Sequence, residues 1–154
     1  MLTVLRRYHF NATSFVVTQR IPSTVQEWSA KPRSFMSWED IDRIRWGYPH
    51  LEFHSHSHDQ HDVIDGRQEP ILTDYNEALN DVQTSMTLLD SDVYAYPFGH
   101  VNDVLKRALR DAGYRMAFCA NLGVKATPDS DRYCLPRLDV NATVTLDQFE
   151  EMIR

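Results

Sequence analysis

At 154 residues, with 42% hydrophobic and 25% charged residues, the chain has ordinary globular composition and enough length to bury one core. A net charge of −6 and the lack of a basic block argue against nucleic acid as a partner, because phosphate binding needs clustered Lys and Arg. No stretch approaches the roughly 18 apolar residues of a membrane span, and the run from Met1 to Phe10 has its charges after its apolar residues, the reverse of a signal peptide.

Residues 1–9 read as a short helix with Leu2 and Leu5 on one side, and 12–18, rich in β-branched and aromatic residues, as a strand. A loop with Pro22 and Pro32 leads to a helix over 37–47, with Ser37 as N-cap, acidic residues in its first turn and Gly47 as a stop. Residues 51–54 form a short strand that runs into a histidine-rich stretch, and 62–72 form a loop with Gly66 and Pro70. Thr73 is expected to cap a helix to about Leu89, on the spacing of Leu79, Val82, Met86 and Leu89. A strand over 92–96 stops at Pro97-Phe98-Gly99, and Asn102 or Asp103 opens a helix that Gly113 ends. Strands over 114–119 and 135–140 and a terminal helix from Thr145 complete the chain, which has no repeat or linker and reads as a single domain, 1–154. Cys119 and Cys134 are too few for a disulfide framework and sit among apolar residues, so both are expected as buried thiols.

Strands alternating with helices of ten or more residues predict an α/β fold with a parallel sheet. In such folds the ligand site lies at the C-terminal ends of the strands. The histidine stretch and the Pro97-Phe98-Gly99 turn both fall there.

Five of the seven histidines, His50, His54, His56, His58 and His61, lie within twelve residues. Neutral imidazole is a strong ligand for zinc and its neighbours, so a metal site is the first expectation, with a solvated His-rich loop as the alternative from composition. His54, His56 and His58 alternate and would share one face of an extended segment. Both His54/His58 and His56/His61 can pair, because Ser55 and Ser57 can bond locally and turn the second imidazole back to the first. A catalytic zinc site adds a third protein ligand and an open position.

Several segments, in this order, carry a resemblance: Leu5–Val17, Met36–Ile41, Phe53–His61 with Ser55-His56-Ser57, Tyr94-Ala95-Tyr96-Pro97-Phe98-Gly99-His100, Ala108–Tyr114 and Leu135–Val140. Together they resemble the polysaccharide deacetylases, the carbohydrate esterase group with the NodB homology domain, in the branch acting on poly-N-acetylglucosamine. The resemblance implies a partial or distorted (β/α) barrel and a metal-dependent hydrolase that removes N-acetyl groups from an N-acetylated polysaccharide. It implies a divalent metal, with zinc expected, and an extracellular or cell-envelope location. Ser55-His56-Ser57 falls on the family's Ser-His-Thr, which makes His56 and His61 the metal ligands and His54/His58 the second choice. Water activated at the metal would attack the acetamide carbonyl, with the Phe98 N–H, in the turn begun by Pro97, holding the oxyanion.

Tyr96 and Phe98 are candidate walls for the sugar, or equally core aromatics. Ser57, Asp59 and Arg137 are candidates for support around the metal. Ala95 stands where many members have an Arg that orients a catalytic Asp; Arg137 is a substitute for it or a structural ion-pair partner. His58, His50 and His9 are expected at the surface or in packing. The family's Thr-Phe-Asp-Asp and Leu-x-His motifs have no counterpart here, so the first strand is expected to be missing, its sheet edge exposed, and the chain inactive or very weak. The other outcome is a non-catalytic carbohydrate- or metal-binding remnant of the same fold. Oligomeric state stays open.

Overall fold

The computed structural model describes residues 2–29, 34–68, 71–120 and 123–154. In chain order the elements are α1 (Leu2–Tyr8), β1 (Ala12–Val16), α2 (Trp38–Gly47), β2 (Leu51–Ser55), β3 (Val63–Ile64), β4 (Arg67–Gln68), α3 (Tyr75–Leu89), β5 (Val93–Ala95), α4 (Asp103–Ala112), β6 (Met116–Phe118) and α5 (Leu146–Ile153). Four strands make one parallel sheet in the order β1-β2-β5-β6, as βα units require. The described strands form an open sheet.

The helices end where local chemistry ends them. Ser37 and Asp40 close a reciprocal capping box at α2, each side chain accepting the other's backbone N–H at 3.1 Å. Asp74, not Thr73, caps α3, because its carboxylate accepts from both Asn76 and Glu77. Asn102 caps α4, and Gly113 ends it in the left-handed conformation at φ 96°.

Side-chain alternation gives the sheet two unlike faces. Leu51, Phe53, Ser55, Tyr94, Tyr96, Ala117 and Cys119 point to the face covered by α2, α3 and α4, and all are buried. There Tyr94 meets Tyr96 and Tyr114 edge to face, with centroids 5.5 Å apart in each pair. Two of these hydroxyls are bonded to carbonyls: Tyr114 donates to Val82 at 2.9 Å and Tyr96 to Tyr133 at 2.8 Å. The other face carries the buried Val93 and Ala95 together with Phe15, His54, Met116 and Phe118, which are half-buried.

Several expectations shift. The first strand stops at Val16, and residues 18–20 turn into a 3₁₀ helix beneath the histidine stretch. The expected 62–72 loop holds a small exposed hairpin, β3 with β4. Of 135–140 only Leu135 pairs, in a parallel bridge with Phe118. That bridge corrects the reading of the cysteines. It sets Cys119 beside Cys134 with Cα atoms 5.0 Å apart, and the two form a disulfide instead of remaining thiols. Pro32 and Pro70 lie outside the described residues.

Candidate active site

The site is built from the ends of three strands. β2 stops at Ser55, and the His56 N–H is taken at 2.9 Å by the carbonyl of Val16, the last residue of the neighbouring strand β1. Ser57 then turns with φ 86°. Its hydroxyl accepts the Gln60 N–H at 3.0 Å, which folds the chain back. His61 thereby returns to His56, with ring centroids 4.9 Å apart. Phe98, in the turn after β5, stacks on His61 at 4.2 Å. The expected pair and the third-motif turn are brought together.

The alternative pair is not brought together. Because the strand ends at Ser55, His58 no longer shares a face with His54. His54 Nδ1 lies 2.6 Å from Ser91 Oγ and its Nε2 3.1 Å from a Glu52 carboxylate oxygen. His58 Nδ1 lies 2.8 Å from Thr18 Oγ1. His50 lies exposed beside Asn11, and His9 is exposed as well.

His56 is held as a ligand would need to be. Its Nδ1 sits 2.8 Å from the Ala95 carbonyl, which can only accept, so the ring proton is on Nδ1 and the Nε2 lone pair is free. Burial, opposed by that bond and helped by the charges of His61 and Arg137, pulls its pKa down to about 4. At neutral pH His56 is therefore an uncharged imidazole. Two imidazoles side by side suit a late first-row divalent cation. Among the described residues no group of three or more His, Cys, Asp and Glu could hold a metal ion, which leaves this pair as the candidate donor set.

The Phe98 backbone is left-handed, at φ 54° and ψ 6°, an unusual state for a bulky residue. Gly99 follows at φ 74°, and a Cβ there would stand 2.5 Å from Ala120 Cβ, so only glycine lets this turn close on the chain beside it. Pro97 is buried at the start of the turn. The amides of Gly99 and His100 bond to Tyr96 and Pro97, whereas the Phe98 N–H has no intramolecular acceptor among the described residues. A free donor on a fixed turn is what oxyanion binding requires.

For Tyr96 and Asp59 the structure selects the reading away from the site. Tyr96 faces the helices, is 1% exposed and gives its hydroxyl to Tyr133, so the core alternative describes it and not a sugar wall. Asp59 is exposed and points no donor at the pair; its N–H is what bonds, to Asp81. Arg137 donates from Nε to the Cys119 carbonyl at 2.9 Å and lies over the Phe15 ring at 5.7 Å. Its salt bridge to a carboxylate, expected in one reading, is not formed among the described residues.

Asp81 was not foreseen. It is 8% exposed on the inner face of α3, and its two oxygens accept the N–H of His58 at 3.0 Å and of Asp59 at 2.8 Å. Burial raises its pKa, and the two N–H bonds oppose that rise. Helical spacing sets Asp81 beside the buried Ala78 and Val82, but its partners lie in a loop distant in sequence. On the other side of the loop, the Thr18 and Gln19 amides bond to the Ser57 and His58 carbonyls, and Arg20 bonds to the His61 carbonyl and pairs with Asp62. Beside the pair opens a cleft of about 290 Å³, walled by Phe15, Val16, Ile21, Phe35 and Met36.

Known proteins share this plan. The sequence pattern of the polysaccharide deacetylase family matches residues 1–117. The chain is 31% identical over 159 residues to the poly-beta-1,6-N-acetyl-D-glucosamine N-deacetylase of Staphylococcus epidermidis, covering 98% of this chain and 51% of that protein. It is 27% identical over 161 residues to the enzyme of the same description from Staphylococcus aureus strain MRSA252, with the same coverage. The chain thus spans about half the length of these relatives. In fold it is similar to IcaB from Ammonifex degensii, with TM-score 0.71, 19% identity, and 97% of this chain and 63% of that one covered. It is also similar to the Streptococcus pyogenes deacetylase PplD in complex with acetate, with TM-score 0.74, 16% identity, and 99% and 62% covered. By the match over residues 1–117 and the likeness to the staphylococcal enzymes, the chain belongs to the polysaccharide deacetylase family.

Proposed function

We propose that this chain forms the metal-binding and oxyanion-binding part of an N-deacetylase acting on an N-acetylglucosamine-type polysaccharide. The observation that carries the reading is the juxtaposition of His56 and His61, at 4.9 Å, with the free N–H turn of Phe98. In the reaction water adds to the acetamide carbonyl carbon, the C–N bond breaks, the nitrogen takes a proton, and acetate and a free amine leave. A divalent metal, zinc by the imidazole donors, supplies Lewis acidity and lowers the pKa of water when bound. His56 and His61 would hold it, His56 through the Nε2 that its Nδ1 bond to the Ala95 carbonyl leaves free. Phe98 N–H donates to the carbonyl oxygen as it gains charge. The apolar cleft beside the pair accepts the acetyl methyl or a sugar face. Ser57 fixes the turn, and Arg137 places a cation beside Phe15, toward which a carboxylate would be drawn.

A second reading has its own observation. Only two protein donors meet among the described residues, so in this reading the chain is proposed to be a non-catalytic remnant that binds metal and glycan without turnover. An extracellular or cell-envelope setting is proposed with it, supported by the Cys119–Cys134 disulfide, a bond that persists in oxidising compartments. No described helix is long and apolar enough to cross a membrane.

Acetate release from poly-β-1,6-N-acetylglucosamine oligomers, with zinc or cobalt added, tests both readings. Turnover that His56→Ala and His61→Ala abolish supports the enzyme. Glycan and zinc binding without turnover supports the binding remnant. Zinc affinity equal in both variants and the unmodified chain would sink the ligand assignment.

A further inference from the structure

We infer that Asp81 is a positioning residue for the metal pair, setting the approach of His61 to His56 by clamping the loop between them. The inference rests on the reading of these two histidines as ligands. Successive N–H groups of an extended chain point to opposite sides. One carboxylate can take the N–H of both His58 and Asp59 only where the chain turns between them, and Asp81 takes both, at 3.0 and 2.8 Å. These residues are the midpoint of the His56–His61 spacing.

The loop conformation is not one the chain prefers by itself. Ser57 holds φ 86°, which for a residue with a Cβ costs energy and persists only where neighbours enforce it. Carbonyls on one side of the loop are held by Thr18 and Gln19, and amides on the other by Asp81. A carboxylate on the apolar side of α3 is costly to bury, and the two charge-assisted bonds are what it gains there. A plain core residue at this position would leave the two amides without partners. Asp81 touches neither imidazole. It acts through the backbone, as outer-shell partners of ligand histidines do.

Asp81→Asn is the test, because the amide keeps one acceptor and sets an N–H₂ against the other backbone N–H. Amide exchange in the chelator-treated chain is read first. In the unmodified chain the His58 and Asp59 amides should be protected, and Asp81→Asn should speed their exchange about tenfold or more. Zinc titration is read second: Asp81→Asn should weaken Kd about 10- to 100-fold. Val82→Ala, the next residue on the same helix and also buried, should lower Tm while leaving Kd within about threefold.

Fast exchange at both amides in the unmodified chain overturns the clamp without any variant. Unchanged zinc affinity in Asp81→Asn, where His56→Ala loses zinc, overturns the positioning role and leaves the ligands standing. If the unmodified chain binds no zinc, the metal reading fails, and the exchange rates alone decide whether Asp81 sets the loop. Equal losses of affinity in Asp81→Asn and Val82→Ala reduce Asp81 to general stability and overturn the inference.

Discussion

The two faces of the sheet are finished to different degrees. The helix-covered face is closed with its own material: Tyr94, Tyr96 and Tyr114 interlock, the Tyr114 hydroxyl meets Val82 and Ser85, and the Tyr96 hydroxyl meets Tyr133. The opposite face buries Val93 and Ala95 at its centre but leaves its flanks half-covered, with Phe15 against Phe118 at 5.8 Å and Arg137 laid over Phe15. The strand ends between the two faces carry the histidine pair. The contrast teaches that this sheet is anchored from one side, which leaves the other free to hold polar and charged groups next to chemistry.

Breaking the closed face should cost most. Tyr94→Ala removes a fully buried ring and should lower unfolding free energy by about 3–5 kcal/mol in urea titration. A loss below about 1 kcal/mol would mean the interlocked tyrosines are not the anchor.

Acid should act at the boundary between the faces. In the chelator-treated chain His56 is neutral down to about pH 4, whereas in the unfolded chain it charges near pH 6.5. Between those values the unfolded state binds the extra proton, so stability is full above about pH 6.5 and falls as pH drops toward 4, by roughly 2–3 kcal/mol. His56→Ala should flatten that part of the profile; an unchanged slope would locate the titrating group elsewhere.

Gly99→Ala probes the turn that joins the faces. Its new methyl meets Ala120 Cβ, so about 1–3 kcal/mol should be lost, with Phe98 displaced from His61. Retained stability together with an unmoved His61 ring resonance would contradict the packing. The smallest effect belongs to the open face, where Phe118→Ala should cost about 1–2 kcal/mol because the ring is only half-buried. A loss equal to that of Tyr94→Ala would erase the distinction.

Much of this was legible in the chain itself. The spacing of Leu79, Val82, Met86 and Leu89, the caps at Ser37 and Asn102 and the stop at Gly113 all report local geometry, which sequence carries directly. The His56/His61 pairing came from the motif resemblance, since the residues alone admitted His54/His58 equally. What stayed hidden depends on contacts distant in sequence. The disulfide needs the Phe118–Leu135 register, and Asp81 needs α3 laid against a loop more than twenty residues earlier. Tyr96 lies between: strand alternation sets it on the face of Tyr94, while the turn that begins at the next residue made a sugar wall equally consistent with the sequence.

The covalent link between Cys119 and Cys134 makes preparation history a variable of this protein. The carbonyl that holds Arg137 belongs to Cys119, so the sulfur pair tethers the strand end from which a cation overhangs Phe15. Material folded in a reducing cytosol and material folded under oxidation share one sequence but are two different samples. Affinity measured on one does not transfer to the other.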